Sequence, residues 1–440
     1  MALDIGIDLG TSGCRAIAIN ENREIVAQHR TPLPASNRHN NRSEQNPQDW
    51  WDAVCHILPT LLAGLPKNPA HTIRTLSVDG TSATLLLADR YGSPLTTALM
   101  YNDQRAIQEA ATIQQLAPAE SGAHGPAASL AKLLWLLNHY PSLDYSNGVL
   151  ALHQADWISN RLCNHFGHSD ENNALKLGYD PVQRRWPQWI NQLNLPQNIL
   201  PQVATPGTPY STLTAALFEE FGFSRHQQQP VEVCHGTTDS IAATIAAGEE
   251  QAGQAVTSLG TTLVLKILSS TPLFAPEYGI YSHRIGNQWL ISGASNAGAG
   301  ILLDYFTPQE IIQLSQKIVL QPPTQLNYYP LSSVGERFPI NDPTLQPRLS
   351  PRPPEDHRFL QAILEGLTAI EQMGYRKMVA LGAPQPLSIA TAGGGSQNEQ
   401  WTTLRQQQLK VPVFSAETPE AAYGCAQLYQ IHQNRLSSFG

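Results

Sequence analysis

Apolar and polar positions fall in short alternating blocks along the chain, and the first block is the most regular. Ile5 to Leu9 and Cys14 to Ile19 read as two strands joined by the turn Gly10-Thr11-Ser12-Gly13. A Gln/Asn/Arg-rich segment, Asn37 to Gln48, leads into a helix-like run from Pro47 to Leu65. A third strand ends in Leu76-Ser77-Val78-Asp79-Gly80-Thr81-Ser82-Ala83-Thr84, and Leu85 to Ala88 returns as its partner. Helical spacing follows at Gln104 to Leu116, Ser129 to His139 and Asp156 to Phe166. Strand, strand, helix, strand is the rhythm of an α/β domain.

The rhythm restarts near Pro230, so the pattern predicts two α/β domains, 1–230 and 231–440. Val231 to Cys234 reads as a strand, His235 to Thr238 as a turn and Ser240 to Ala247 as an alanine-rich helix. Ala255 to Ser258 and Leu263 to Leu268 form a second predicted hairpin. Phe359 to Gly374 has helical periodicity, Leu387 to Thr391 reads as a buried strand, and Gly393-Gly394-Gly395-Ser396 turns into a helix at Asn398 to Leu409. A last helix is expected over Pro419 to Asn434. Prolines cluster at Pro322 to Pro330 and Pro339 to Pro354, which predicts an ordered, extended surface connection.

Composition narrows the classes of function. A net charge of -8 advertises no basic face for nucleic acid. The five cysteines are scattered without a Cys-x-x-Cys pair and read as reduced, structural thiols of a cytoplasmic protein. Apolar runs are too short to span a membrane, and a strand by residue 4 leaves no room for a leader peptide. The fourteen histidines show no His-Glu-x-x-His spacing, which argues against a catalytic zinc. No Gly-x-x-x-x-Gly-Lys-Ser/Thr loop or Gly-x-Gly-x-x-Gly fingerprint occurs, so P-loop and dinucleotide-binding readings lose support.

The two hairpins carry the first candidate chemistry. Gly10 and Gly13 let the backbone approach an anion, to which Thr11 and Ser12 offer amides and hydroxyls. Asp8 beside such a turn would repel phosphate unless a cation lay between them, which points to Mg²⁺ keeping some of its waters. Leu259-Gly260-Thr261-Thr262 repeats the scheme with Ser258 in the place of Asp8, so the metal is expected on the first hairpin only. Either turn could also be an ordinary polar hairpin; the repetition favours phosphate.

Asp239 lies where a strand ends and a helix begins. Aspartate is favoured there simply as a cap, but it is also placed to accept the proton of a hydroxyl attacking phosphorus. A helix N-terminus makes it a weak base, which a loose phosphoryl-transfer transition state tolerates. Gly393 to Gly395 would let adenosine lie against bare backbone, and is equally a tight strand-to-helix turn. Asp79, Ser82, Asp103 and Arg105 form a candidate sugar-binding set, although Asp103 and Arg105 could simply pair with each other at a surface.

In this order the motifs resemble the FGGY carbohydrate kinases, relatives of actin, hexokinase and Hsp70 with two ribonuclease-H-like domains and ATP and sugar in the cleft between them. The matching segments are Gly6 to Ser12, Asn102 to Arg105, Gly236 to Asp239, Ser258 to Thr262, Gly293 to Gly298, Gly335-Glu336-Arg337 with Pro339, Gly393 to Gly395 and Ala421 to Gly424. The resemblance implies Asp8 and Thr11 near Mg²⁺ and the γ-phosphate, and Asp239 as base. It implies Ser12, Gly260, Thr261, Thr262 and Gly298 on the phosphates, Gly394, Gly395, Ser396 and Asn398 on adenosine, and Asp103 and Arg105 on the sugar side. Two departures stand out. Tyr101 replaces the tryptophan of Trp-x-Asp-x-Arg, and Asp79-Gly80-Thr81-Ser82 replaces the Ser-Gly-Gln-Met-His of xylulose kinases. The latter looks more like the Asp-Ala-Thr-Cys of ribulose-type kinases.

The expectation is therefore an ATP- and Mg²⁺-dependent D-ribulose kinase, a monomer or homodimer. D-xylulose is the nearest alternative, with glycerol or L-ribulose behind it. A nucleotide-dependent sugar sensor without turnover is the rival of another class, against which Asp8 and Asp239 together argue. The chain is shorter than most members of the family, which points to slow ATP hydrolysis without sugar through an incompletely closed site.

Overall fold

The computed structural model describes residues 2–66, 72–224, 227, 229–416 and 420–437. Its contacts divide the chain into two compact units, Met1–Ala246 together with Glu420–Gly440, and Ala247–Pro419. The first unit is built on strands β1 (Ala2–Leu9), β2 (Gly13–Ile19), β3 (Ile25–Pro32), β4 (Thr72–Gly80), β5 (Pro209–Thr212), β6 (Glu232–Cys234) and β7 (Thr237–Thr238), in the order β5-β6-β4-β1-β2-β3 with β7 also against β4. β1 runs antiparallel to β2 and parallel to β4, and it is apolar apart from Asp4 and Asp8. Such a run belongs in the middle of a sheet covered on both faces.

Helix α1 (Pro47–Ala63) covers one face. Asn46 caps it by accepting from the Gln48 amide, Pro47 opens it, and Trp50, Val54, Ile57, Leu58 and Leu61 join the core with Ile5, Ile7 and Val78. The short helix Ala421–Ala426 packs against Ile17 and Ile19 through Ala422 and Ala426. The polar Asn37 to Gln48 segment forms strands Asn37–His39 and Arg42–Gln45, which start a second sheet containing Leu85–Ala88, Ala98–Leu99 and Leu150–His153. Helices Ile107–Leu116 and Ser129–His139 share a core with this sheet, and helix α2 (Gln154–Cys163) follows its last strand.

The division between units falls after Ala246, not at residue 230. The predicted strand and helix exist as β6 and α3 (Asp239–Ala246), but β6 and β7 pair in parallel with β4 and so complete the first sheet. A strand's local pattern does not say which edge it will join. The predicted last helix is two helices, Ala421–Ala426 and Leu428–Ser437, and it belongs to the first unit; Pro419 lies outside the described residues.

The second unit carries strands β8 (Gln254–Leu259), β9 (Leu263–Ser269), β10 (Tyr281–Ile285), β11 (Gln288–Ala294), β12 (Ser388–Ala392) and β13 (Val413–Ser415), ordered β10-β11-β9-β8-β12-β13. Helices α4 (Asp356–Ala380) and α5 (Glu399–Leu409) bury Phe359, Leu360, Ile363, Leu367, Ile370 and Trp401 in a core with Leu265, Ile267 and Ile389. The proline-rich stretch is not a surface connection throughout. Tyr328, Tyr329, Leu331 and Phe338 are buried in this core, because the aromatic residues between the prolines supply apolar area that would otherwise face water. No helix among the described residues is long and apolar enough to cross a membrane.

Candidate functional site

Three carboxylates converge at the carboxyl ends of parallel strands, where open α/β sheets bind ligands. Asp8 near the end of β1 stands opposite Asp79 of β4, and Thr237 of β7 stands opposite Asp79 on its other side. Two residues beyond Thr237, Asp239 opens α3 partly exposed, its Oδ1 accepting from the Ser240 amide at 2.6 Å. Asp79 is fully buried, its carboxyl set against that of Asp8 and the thiol of Cys425. Burial pushes its carboxyl well above the usual range, and the charges of Asp8 and Asp239 push it further. Burial also raises Asp8, against the lowering effect of Asp79 and of the Arg15 guanidinium 3.3 Å away.

Thr11 is half-buried and Ser12 exposed in the first turn. The turn is held from outside: the Gln45 amide donates to the Thr11 carbonyl at 2.9 Å and the Leu33 N–H to the Ser12 carbonyl at 2.9 Å. Two adjacent carboxylates, Asp8 and Asp79, on neighbouring strands at the end of the hairpin fit a Mg²⁺ that keeps most of its waters. Among the described residues no group of three or more His, Cys, Asp or Glu could hold a metal by itself. Mg²⁺ needs no such cage, since it binds through one or two carboxylates and substrate phosphates.

Asp103 and Arg105 form a separate cluster. Asp103 is fully buried, accepting from the Ser43 N–H at 2.6 Å and from Arg105 Nη2 at 2.7 Å. Arg105 also pairs with Glu44 at 2.6 Å and lies over the Trp135 ring. The two residues pair as the plainer reading had it, but inside the unit and not at its surface. Ser82, half-buried, follows Thr81, whose hydroxyl donates to Gln154 Oε1 at 2.8 Å. Sequence reasoning missed Lys132. Its fully buried ammonium donates to the carbonyls of Ala83 at 2.8 Å and Met100 at 2.7 Å, joining the turns that carry Ser82 and Asp103. The signal was present as a lysine inside the apolar run Leu130-Ala131-Lys132-Leu133-Leu134.

In the second unit three segments meet. Gly260-Thr261-Thr262 turns between β8 and β9, with Thr261 exposed and Thr262 half-buried. Ser258 lies opposite Ala392 of β12, which brings the turn at Gly393 to Ser396 beside it. The Ala299 N–H donates to the Gly260 carbonyl at 2.8 Å, so Gly298 lies against the same turn. Gly394 is exposed with nothing within 4 Å of where a β-carbon would stand, and Gly395 and Ser396 are half-buried. Asn398, expected on adenosine, uses its side chain otherwise. Its Oδ1 caps α5 through the Trp401 N–H at 3.0 Å and its Nδ2 donates to Ser315 Oγ at 2.8 Å.

Residues 3–246 match the N-terminal domain of the FGGY family of carbohydrate kinases, and residues 255–428 match its C-terminal domain. The chain is 27% identical over 453 residues to the xylulose kinase of Escherichia coli (strain K12), covering 98% of this chain and 90% of that protein. It is 26% identical over 447 residues to the xylulose kinase of Bacillus subtilis (strain 168), covering 96% of this chain and 87% of that protein. In fold it is similar to the crystal structure of a xyloylose kinase from Brucella ovis, with a TM-score of 0.87 at 24% identity over 98% of this chain and 90% of that one.

Proposed function

Because the chain belongs to the FGGY family of carbohydrate kinases, we propose that it transfers the γ-phosphoryl group of ATP to a terminal hydroxyl of a ketopentose, with D-xylulose as the preferred acceptor. The observation that carries this reading is the grouping of Asp8, Asp79 and Asp239 at neighbouring strand ends of one unit. Asp239 accepts the proton of the attacking hydroxyl. Thr11 and Ser12 donate to the transferring phosphoryl group, and Asp8 would hold Mg²⁺ beside them. When bound, Mg²⁺ neutralises charge on the phosphate oxygens. Within the second unit, Gly260, Thr261, Thr262 and Gly298 bind phosphates, and Gly394, Gly395 and Ser396 bind adenosine. Asn398 acts by fixing the start of α5.

D-xylulose replaces the D-ribulose expected from the sequence because the two relatives compared above, each matched over nearly the whole chain, are named xylulose kinases. D-ribulose is the second reading. It rests on Asp79-Gly80-Thr81-Ser82, where a buried carboxyl stands at the start of the segment that replaces the xylulose-type turn. ADP release measured with D-xylulose, D-ribulose, L-ribulose, glycerol and no sugar decides between them. A higher kcat/KM for D-xylulose supports the main reading and one for D-ribulose the second, while ADP release that no sugar stimulates rejects a kinase. The no-sugar arm also measures the hydrolysis expected of a short chain.

A further inference from the structure

Glu336 stands in an irregular stretch of the second unit, yet it is only 3% exposed. Five donors meet its carboxylate, the most distant being the Phe338 N–H at 3.5 Å from Oε1. Oε1 accepts from the backbone N–H of Asn296 at 2.7 Å and of Arg337 at 2.9 Å. Oε2 accepts from the Tyr329 hydroxyl at 3.0 Å and from the Ser295 hydroxyl. A second fastening lies alongside, where Asn296 Nδ2 donates to the Gly335 carbonyl at 3.0 Å. Ser295 Oγ in turn accepts from the Ala297 N–H at 3.0 Å, so the carboxylate sets the whole course of residues 295–297.

That segment is the wall of the Gly260 turn. The Leu263 N–H donates to the Ala297 carbonyl at 2.7 Å, the Ser295 N–H donates to the Leu263 carbonyl at 2.9 Å, and a β-carbon on Gly298 would come within 2.4 Å of the Thr261 carbonyl oxygen. With no slack between Gly298 and Thr261, a shift of residues 295–298 moves Thr261 and Thr262 with it.

We propose that Glu336 is a positioning residue for the nucleotide: by fastening Ser295 and Asn296 it fixes where the Gly260-Thr261-Thr262 turn presents its amides and hydroxyls to phosphate. The inference rests on the reading that this turn binds phosphates. Glu336 touches no phosphate itself and acts only through the 295–298 segment. A glutamine has the same shape, but once its oxygen accepts from the fixed backbone N–H groups its NH2 turns two hydrogens toward the Tyr329 and Ser295 hydroxyls, which lose their acceptor.

The test measures ADP affinity by titration calorimetry, together with KM for ATP and for the sugar, on the full chain and on Glu336→Gln, Ser295→Ala and Gly298→Ala. For Glu336→Gln we expect ADP to bind about tenfold more weakly and KM for ATP to rise alike, with KM for the sugar within about twofold of the parent. Ser295→Ala removes a single link and is expected to show the same change at about threefold, which keeps the test open should Glu336→Gln not fold. A folded Glu336→Gln or Ser295→Ala whose ADP affinity equals that of the parent, while Gly298→Ala loses it, overturns the role of Glu336. If Gly298→Ala also binds ADP normally, the phosphate assignment of the Gly260 turn is what fails.

Discussion

Gly424 and Ala242 meet with no space between them: a β-carbon on Gly424 would lie 1.8 Å from the Ala242 carbonyl oxygen. Gly424 belongs to the helix Ala421–Ala426 and Ala242 to α3, the helix that Asp239 opens. Gly424→Ala must therefore push two helix backbones apart. The expected result is a loss of roughly 1–3 kcal/mol in urea unfolding, with a fall in kcat because α3 carries Asp239 away from Asp8 and Asp79.

Asp239→Asn keeps the size of the side chain and removes the proposed base. Sugar-dependent ADP formation is expected to drop by about 10²–10⁴-fold, while ADP affinity in calorimetry stays that of the parent. Unchanged turnover in this variant rules out Asp239 as the base.

Lys132 gives the first unit a pH dependence. Burial lowers its pKa from 10.5 to about 7; Asp103 opposes the shift, and Lys176 and Arg105 add to it. Below pH 7 the folded and unfolded states both hold the proton. Between about 7 and 10.5 only the unfolded chain holds it, so this group's contribution to stability rises with pH across that window. Lys132→Met lacks the titration and leaves the carbonyls of Ala83 and Met100 without their donor, a loss of about 1–3 kcal/mol. The stability gap between parent and variant in urea is expected to be wider at pH 9 than at pH 6, and a gap constant with pH excludes the titration.

Arg405 and Glu371 form a buried pair beneath the second hairpin. Arg405 Nε and Nη2 each reach a Glu371 oxygen at 2.7 Å, Nη1 reaches Thr391 Oγ1 at 2.6 Å, and the Thr257 hydroxyl donates to Glu371 at 2.6 Å. Arg405→Leu strands the carboxylate and is expected to lose about 3–5 kcal/mol. The double variant Arg405→Leu with Glu371→Leu should recover most of it, as read by thermal and urea unfolding.

The hairpins Ala2–Leu9/Gly13–Ile19 and Gln254–Leu259/Leu263–Ser269 were legible because strand alternation and turn residues are local signals. So were helices Ser129–His139 and α5, whose periodicity and start signals stand in the sequence. Asp8, Asp239 and Gly260 to Thr262 could be singled out because each lies at a junction that the local pattern marks. The capping role of Asn398 was not legible, because a turn residue before a helix can face a ligand or cap the helix, and the sequence is the same in both cases.

By itself, then, the sequence determined the local elements, the two unequal hairpin turns and the family to which the chain belongs. Tertiary structure alone decided that β6, β7 and α3 close the first sheet and not the second, and that Asp79 stands beside Asp8. It also decided that Lys132 joins two turns and that Glu336 fastens a segment 40 residues before it in the chain. These are pairings between distant segments. They depend on which sheet edge is open and which buried donor lacks an acceptor, and neither is a property of the residues nearby in sequence.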